Sequence, residues 1–189
     1  MSLYLKSQNK TQNKQFAVKF REKSGVLDSI FKNPQPDQIN SEAQCVRYKR
    51  NAEIKFDFIK LELKDESKNK LQGQIKNADR NILKYKMKFF SDAPVGTSVD
   101  LFLGKISGDK DYPEGTWGHF RTKTKQSGKW EELEFDFIET PSGSSVQIDQ
   151  INQITLLINP ESNTSEYYYF DPELTPYNKS NQKEKNTKE

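Results

Sequence analysis

The residues best suited to chemistry run together in Asp111-Tyr112-Pro113-Glu114-Gly115-Thr116-Trp117-Gly118-His119-Phe120-Arg121. Aromatic planes stand here beside a histidine, an arginine and two carboxylates. That set suits a saccharide: an exposed ring lies against the apolar face of a pyranose while planar or charged groups reach its hydroxyls. Trp117, flanked by Thr116 and Gly118, reads as a loop residue and as the ligand platform, with Tyr112, His119 and Arg121 around it. The competing reading has Trp117 packing inward or anchoring its loop. Trp130, in a strand pattern, is expected in the core.

Other chemistries thin out quickly. His119 is the single histidine and Cys45 the single cysteine, which leaves no thiolate or histidine cluster for zinc and no internal disulfide. Cys45 reads as a small buried hydrophobe. Glycine-rich phosphate loops, dinucleotide fingerprints and the Gly-x-Ser-x-Gly nucleophile turn are absent from the sequence. With 30 basic and 27 acidic residues mixed along 189 positions, the net charge of +3 gives no one-sided field of the kind nucleic acid selects. No apolar run approaches a membrane span, and Met1-Ser2-Leu3-Tyr4-Leu5-Lys6 lacks a signal-peptide core, so an export signal is not visible in the chain.

The elements that must position these residues are strands. In Glu132-Leu133-Glu134-Phe135-Asp136-Phe137 apolar and acidic residues alternate, and Lys84-Tyr85-Lys86-Met87-Lys88-Phe89 divides lysines from core-forming residues in the same way. His119, Arg121, Lys123 and Lys125 form a polar stripe that either faces bulk water or lines a groove. The pattern predicts about nine strands, near residues 15–20, 43–49, 54–63, 82–90, 98–106, 119–125, 130–137, 153–158 and 166–170, separated by Pro, Gly and Asn turns, with little helix. With 32% hydrophobic and 12% aromatic residues the chain can bury one core, expected over residues 14–177. Residues 1–13 and 178–189 are polar and expected as tails. The fold class is all-β: an antiparallel β-sandwich of jelly-roll type.

Spread along the chain, several pieces resemble the galactose-binding-like jelly rolls that serve as carbohydrate-binding modules in secreted Bacteroidetes-type glycan-degrading systems. They include Val26-Leu27-Asp28 with Asn33-Pro34, Val46-Arg47-Tyr48-Lys49-Arg50, Asp92-Ala93-Pro94-Val95-Gly96, Gly128-Lys129-Trp130 and Tyr168-Tyr169-Phe170-Asp171. The resemblance implies a non-catalytic module at the cell surface, in the periplasm or outside the cell. Its partners are a polysaccharide or oligosaccharide and other domains or proteins of such a system. It also implies a structural calcium held by the first and last strands, for which Glu22 and Asp171 are the nearest candidates, although Pro172 follows Asp171 where a second acidic residue is usual.

Two alternatives stay open. Glu134-Phe135-Asp136-Phe137-Ile138-Glu139 is similar to the Glu-x-Asp-x-x-Glu string of laminarinase-type glycoside hydrolases, with Glu134 as nucleophile, Glu139 as acid/base and Asp136 between them. The other is a sandwich that only displays or joins protein partners.

Overall fold

A computed structural model describes residues 18–78, 83–106 and 112–178; both expected tails, apart from Asn178, fall outside them. The strands are β1 (Val18–Lys23), β2 (Val26–Lys32), β3 (Gln44–Lys49), β4 (Ile59–Leu63), β5 (Leu83–Ser91), β6 (Ser98–Gly104), β7 (Thr116–Lys123), β8 (Lys129–Glu139), β9 (Gln153–Ile158), β10 (Tyr167–Phe170) and β11 (Thr175–Asn178). One helix, α1 (Asp65–Lys76), interrupts them. The strands hydrogen-bond in the order β1-β4-β9-β6-β7-β8-β5-β10-β3-β2, with β11 on β5, and every pairing is antiparallel. This is the jelly-roll β-sandwich expected from the pattern.

The alternation in sequence becomes inside and outside in space. Leu133 and Phe135 of β8 meet Tyr85, Met87 and Phe89 of β5 in one core with Leu101, Phe120, Ile154 and Leu156 from the β6, β7 and β9 half of the path. Tyr85 and Phe120 touch edge to face across it, centroids 5.0 Å apart. Trp130 is buried as expected, but in a second, smaller cluster with Cys45 and Phe90 on the other side of the sheet. The segment before β3 holds it there: the indole N–H donates to Asn33 Oδ1 at 2.9 Å, and Asn33 Nδ2 donates to the Asn40 and Glu42 carbonyls.

Helix α1 lies where little helix was expected. Its acidic start and Lys76 near its end complement the helix dipole, and Leu71 and Ile75, one turn apart, are its buried residues. Gln72 Nε2 ties it to the Asp149 and Ile151 carbonyls.

Between β1 and β2 the chain turns a tight corner from one half of the sandwich to the other. A Cβ on Gly25 would lie 2.2 Å from the Lys49 carbonyl and 2.6 Å from the Tyr48 hydroxyl, which itself accepts the Gly25 N–H and donates to buried Asp57. Gly73, inside α1, has nothing within 4 Å of such a Cβ. The same substitution therefore has opposite signs at the two sites. Gly25→Ala is expected to destabilise by about 1–3 kcal/mol through overpacking, and Gly73→Ala to stabilise by about 0.5–1 kcal/mol. Urea unfolding of the two variants checks both.

Candidate functional site

The outer face of β6 and β7 gathers three of the four residues expected to hold a ligand. On β6, Val99, Leu101 and Leu103 point into the core, so Asp100 and Phe102 point away from it; on β7, Phe120 is in the core, and His119 and Arg121 lie outside. The register pairs Phe102 with His119 and Asp100 with Arg121. The imidazole stacks on the Phe102 ring with centroids 4.4 Å apart and planes 14° from parallel, and Tyr112 meets Phe102 edge-on at 5.8 Å. Tyr112 is 60% exposed, which leaves its ring open to solvent at the end of this aromatic run.

A close backbone crossing sets Tyr112 in place. A Cβ on Gly104, at the end of β6, would meet the Gly115 carbonyl at 2.2 Å, and that carbonyl accepts the Lys105 N–H. Only glycine permits the approach, and it brings residues 112–116 back beside Phe102.

Arg121 is fixed by a carboxylate. Its Nε and Nη2 donate to the two oxygens of Asp100, whose side chain is almost wholly buried, while about half of the arginine side chain faces solvent. Nη1 has no hydrogen-bond partner among the described residues. His119 Nε2 lies 3.4 Å from Asp100 Oδ1 without the alignment of a hydrogen bond. Burial acts to raise the Asp100 pKa, but the His119 ring and the Arg121 guanidinium beside it outweigh burial and hold the carboxyl below its ordinary value. The Asp100 bond in turn raises the Arg121 pKa, with the Glu161 carboxylate adding to the same field.

The sign follows from that depression. The stability contributed by ionised Asp100 is fully present above the unfolded-chain value of about 3.9 and is lost as pH falls through the lower folded value. Asp100→Asn is therefore expected to cost about 2 kcal/mol at pH 7. The gap in Tm between wild type and variant should narrow as pH falls below about 3.9, which thermal scans across pH would show.

Trp117 is not part of this face, which corrects its reading as a loop platform. It belongs to β7 and is 2% exposed, with its indole against Phe120 and Phe137 at 6.5 Å each. The cause is a bulge: Gly104 pairs with Thr116 and Leu103 with Gly118, so Trp117 is the extra residue and its side chain turns inward.

The residues suggested for calcium are not brought together. Glu22 accepts from Lys60 Nζ at 2.7 Å, and Asp171 Oδ1 accepts the Glu173 N–H, the cap of a turn. Val18 is the β1 residue that shares a hollow with Pro172 and Leu174, and Glu22 lies four residues further along the strand, about 13 Å at the usual rise. Among the described residues no group of three His, Cys, Asp or Glu side chains is placed to hold a metal ion.

Of the hydrolase-like string, Asp136 faces outward from β8 onto Lys84 of β5 and Glu134 onto Lys86 at 3.5 Å, where Glu132 joins it at 3.1 Å, while Glu139 pairs with His119 of β7. Lys86 is itself partly desolvated, which acts to lower its pKa, yet the two glutamates raise it on balance. Glu134 and Glu139 sit five residues apart on β8, with Ile138 bulged between Phe137 and Glu139, a span of about 13 Å at the rise of an extended strand. Retaining hydrolysis needs about 5 Å between the two carboxyl groups, and inversion at most about 9.5 Å. The string is a charged outer ladder and does not form a catalytic pair.

Asp100 and Phe102 were not singled out in the sequence. The alternation Val99-Asp100-Leu101-Phe102-Leu103 did carry the signal, since an aromatic among outward positions has no core to fill.

No protein-family model matches the sequence, and no curated protein matches it. Solved structures with a similar course of the chain exist. One is a family 11 carbohydrate-binding module from Clostridium thermocellum in complex with a β-1,3-1,4-mixed-linked tetrasaccharide, at 11% identity and a TM-score of 0.49, covering 88% of this chain and 92% of the module. Another is SGBP-B from a xyloglucan utilization locus in Bacteroides uniformis, at 11% identity and 0.48, covering 84% of this chain and 46% of that protein. A β-1,3-glucan-binding CBM6 from Bacillus halodurans aligns at 12% identity and 0.35, over 79% and 95%. Among the described residues no helix is long and apolar enough to cross a membrane.

Proposed function

We propose that this chain is a non-catalytic glycan-binding module, exported or displayed at a cell surface, that holds a saccharide on the outer face of β6 and β7. The observation that carries the reading is the run Tyr112, Phe102, His119 beside an arginine that Asp100 fixes with one amino group turned out. Tyr112 offers a solvent-facing ring for the C–H face of a pyranose. Arg121 and the exposed Glu139, paired with His119 across β7 and β8, supply donors and acceptors for its hydroxyls. His119 and Arg121 are two positions apart on one strand, about 7 Å, so ring and guanidinium reach neighbouring parts of one or two sugar units. An open strand face of this kind suits the side of a polymer, with weak affinity per contact.

Affinity electrophoresis in mixed-linkage β-glucan, xyloglucan and β-1,3-glucan, with reducing-end release assayed on the same samples, tests the reading. Retention without release supports it. Release of reducing ends, or free migration in every polymer, contradicts it and moves the weight to catalysis or to a structural and protein-binding role respectively.

A further inference from the structure

The arrangement at Arg121 recurs on the opposite half of the sandwich. Asp28 of β2 and Arg47 of β3 are direct cross-strand partners, as Asp100 and Arg121 are, and Asp28 Oδ2 accepts from Arg47 Nε at 2.8 Å and from Nη2 at 2.6 Å. Nη1 again has no partner among the described residues. The guanidinium carbon lies over the Phe31 ring, 3.7 Å from its centroid, and 5.1 Å from the Tyr167 centroid. Tyr167, 43% exposed, stands beside Lys49, whose ammonium is 5.5 Å from the ring centroid and has no ion-pair partner among the described residues. A hollow of about 360 Å³ opens next to them, lined by Lys49, Asn51 and Glu53 among others, and exposed Val26 forms its apolar edge.

We infer that this face is a second saccharide contact, so that one chain carries two glycan sites, one on β6 and β7 and one on β2 and β3. The inference rests on the glycan-binding reading of the first face. Each part has a counterpart there: a solvent-open tyrosine, an arginine whose orientation is set by a cross-strand aspartate, and a free amino group beside the ring. A guanidinium locked in this way donates to vicinal hydroxyls without first giving up side-chain freedom. Lys49 adds a second donor and Glu53 an acceptor at the hollow, which matches hydroxyls that both donate and accept. Two separate sites on one chain can engage two polymer strands, or two stretches of one strand, and multiply the affinity for polymer over that for a short oligosaccharide.

The test compares wild type, Tyr112→Ala, Tyr167→Ala, Arg47→Gln and the Tyr112/Tyr167 double variant. Each is titrated with a mixed-linkage β-glucan tetrasaccharide and a xyloglucan oligosaccharide and run in the matching polymers. Two oligosaccharides per chain are expected for wild type and one for each single-face variant. Polymer affinity should fall at least about tenfold in each single variant and vanish in the double. Tyr167 and Arg47 lie at the surface, and an unchanged Tm confirms that those variants fold. One oligosaccharide per wild-type chain, with Tyr167→Ala and Arg47→Gln indistinguishable from wild type, overturns the second site and leaves the first standing. Wild type retained by neither polymer overturns both.

Discussion

Tyr112→Ala lowers affinity for a retained glycan by about tenfold or more and leaves Tm within error of wild type. The ring is 60% exposed and makes one edge contact with Phe102, so its removal takes away a stacking surface and little packing. Trp117→Ala behaves in the opposite way. With the indole buried against Phe120 and Phe137, truncation opens a cavity costing about 3–5 kcal/mol, and glycan affinity falls only as far as the folded fraction does. Titrating both variants below their melting temperatures, with Tm recorded alongside, separates the two effects. Lost binding in a stable Trp117→Ala and normal binding in Tyr112→Ala would exchange their roles.

An equally large effect on stability is expected at Arg50, which is 1% exposed. All of its side-chain N–H donors are taken by backbone carbonyls: Nε by Ile158, Nη1 by Asn51 and Thr164, and Nη2 by Ile54 and Lys55. One guanidinium thus ties the end of β3 to the segment before β4 and to the turn between β9 and β10. Among the described residues its hydrogen-bond partners are all carbonyls and include no carboxylate. Arg50→Leu leaves these carbonyls without their donors, at a cost of about 3–5 kcal/mol. A Tm lowered on the order of 10 °C is the expected readout. Arg50→Lys, which keeps the charge but cannot reach five acceptors, should recover less than half of the loss. A variant melting with wild type would show that the turns hold without the arginine.

The same contrast between local pattern and tertiary setting explains what could be read from the sequence. Strands β5 and β8 were legible because one face is apolar and the other charged over six or more residues, and burial follows that division. Strand β2 was not, since a bulge between Asp28 and Phe31 breaks its period and Val26 and Ile30 face solvent. Helix α1 buries Leu71 and Ile75 among lysines, asparagines and glutamines, too few apolar points to show a helical period. At the candidate site, Tyr112, His119 and Arg121 could be named from residue type and alternation. The inward turn of Trp117 could not, because it depends on a bulge set by the pairing of β6 with β7.

A titration followed by amide NMR shifts tests the central claim most directly, using an oligosaccharide of whichever glycan retains the protein. The account predicts the largest shifts at Asp100, Phe102, Tyr112, His119 and Arg121, with Trp117 moving only as a neighbour of this face. Saturating shifts confined to the ends of the sandwich, with β6 and β7 unchanged, would contradict it.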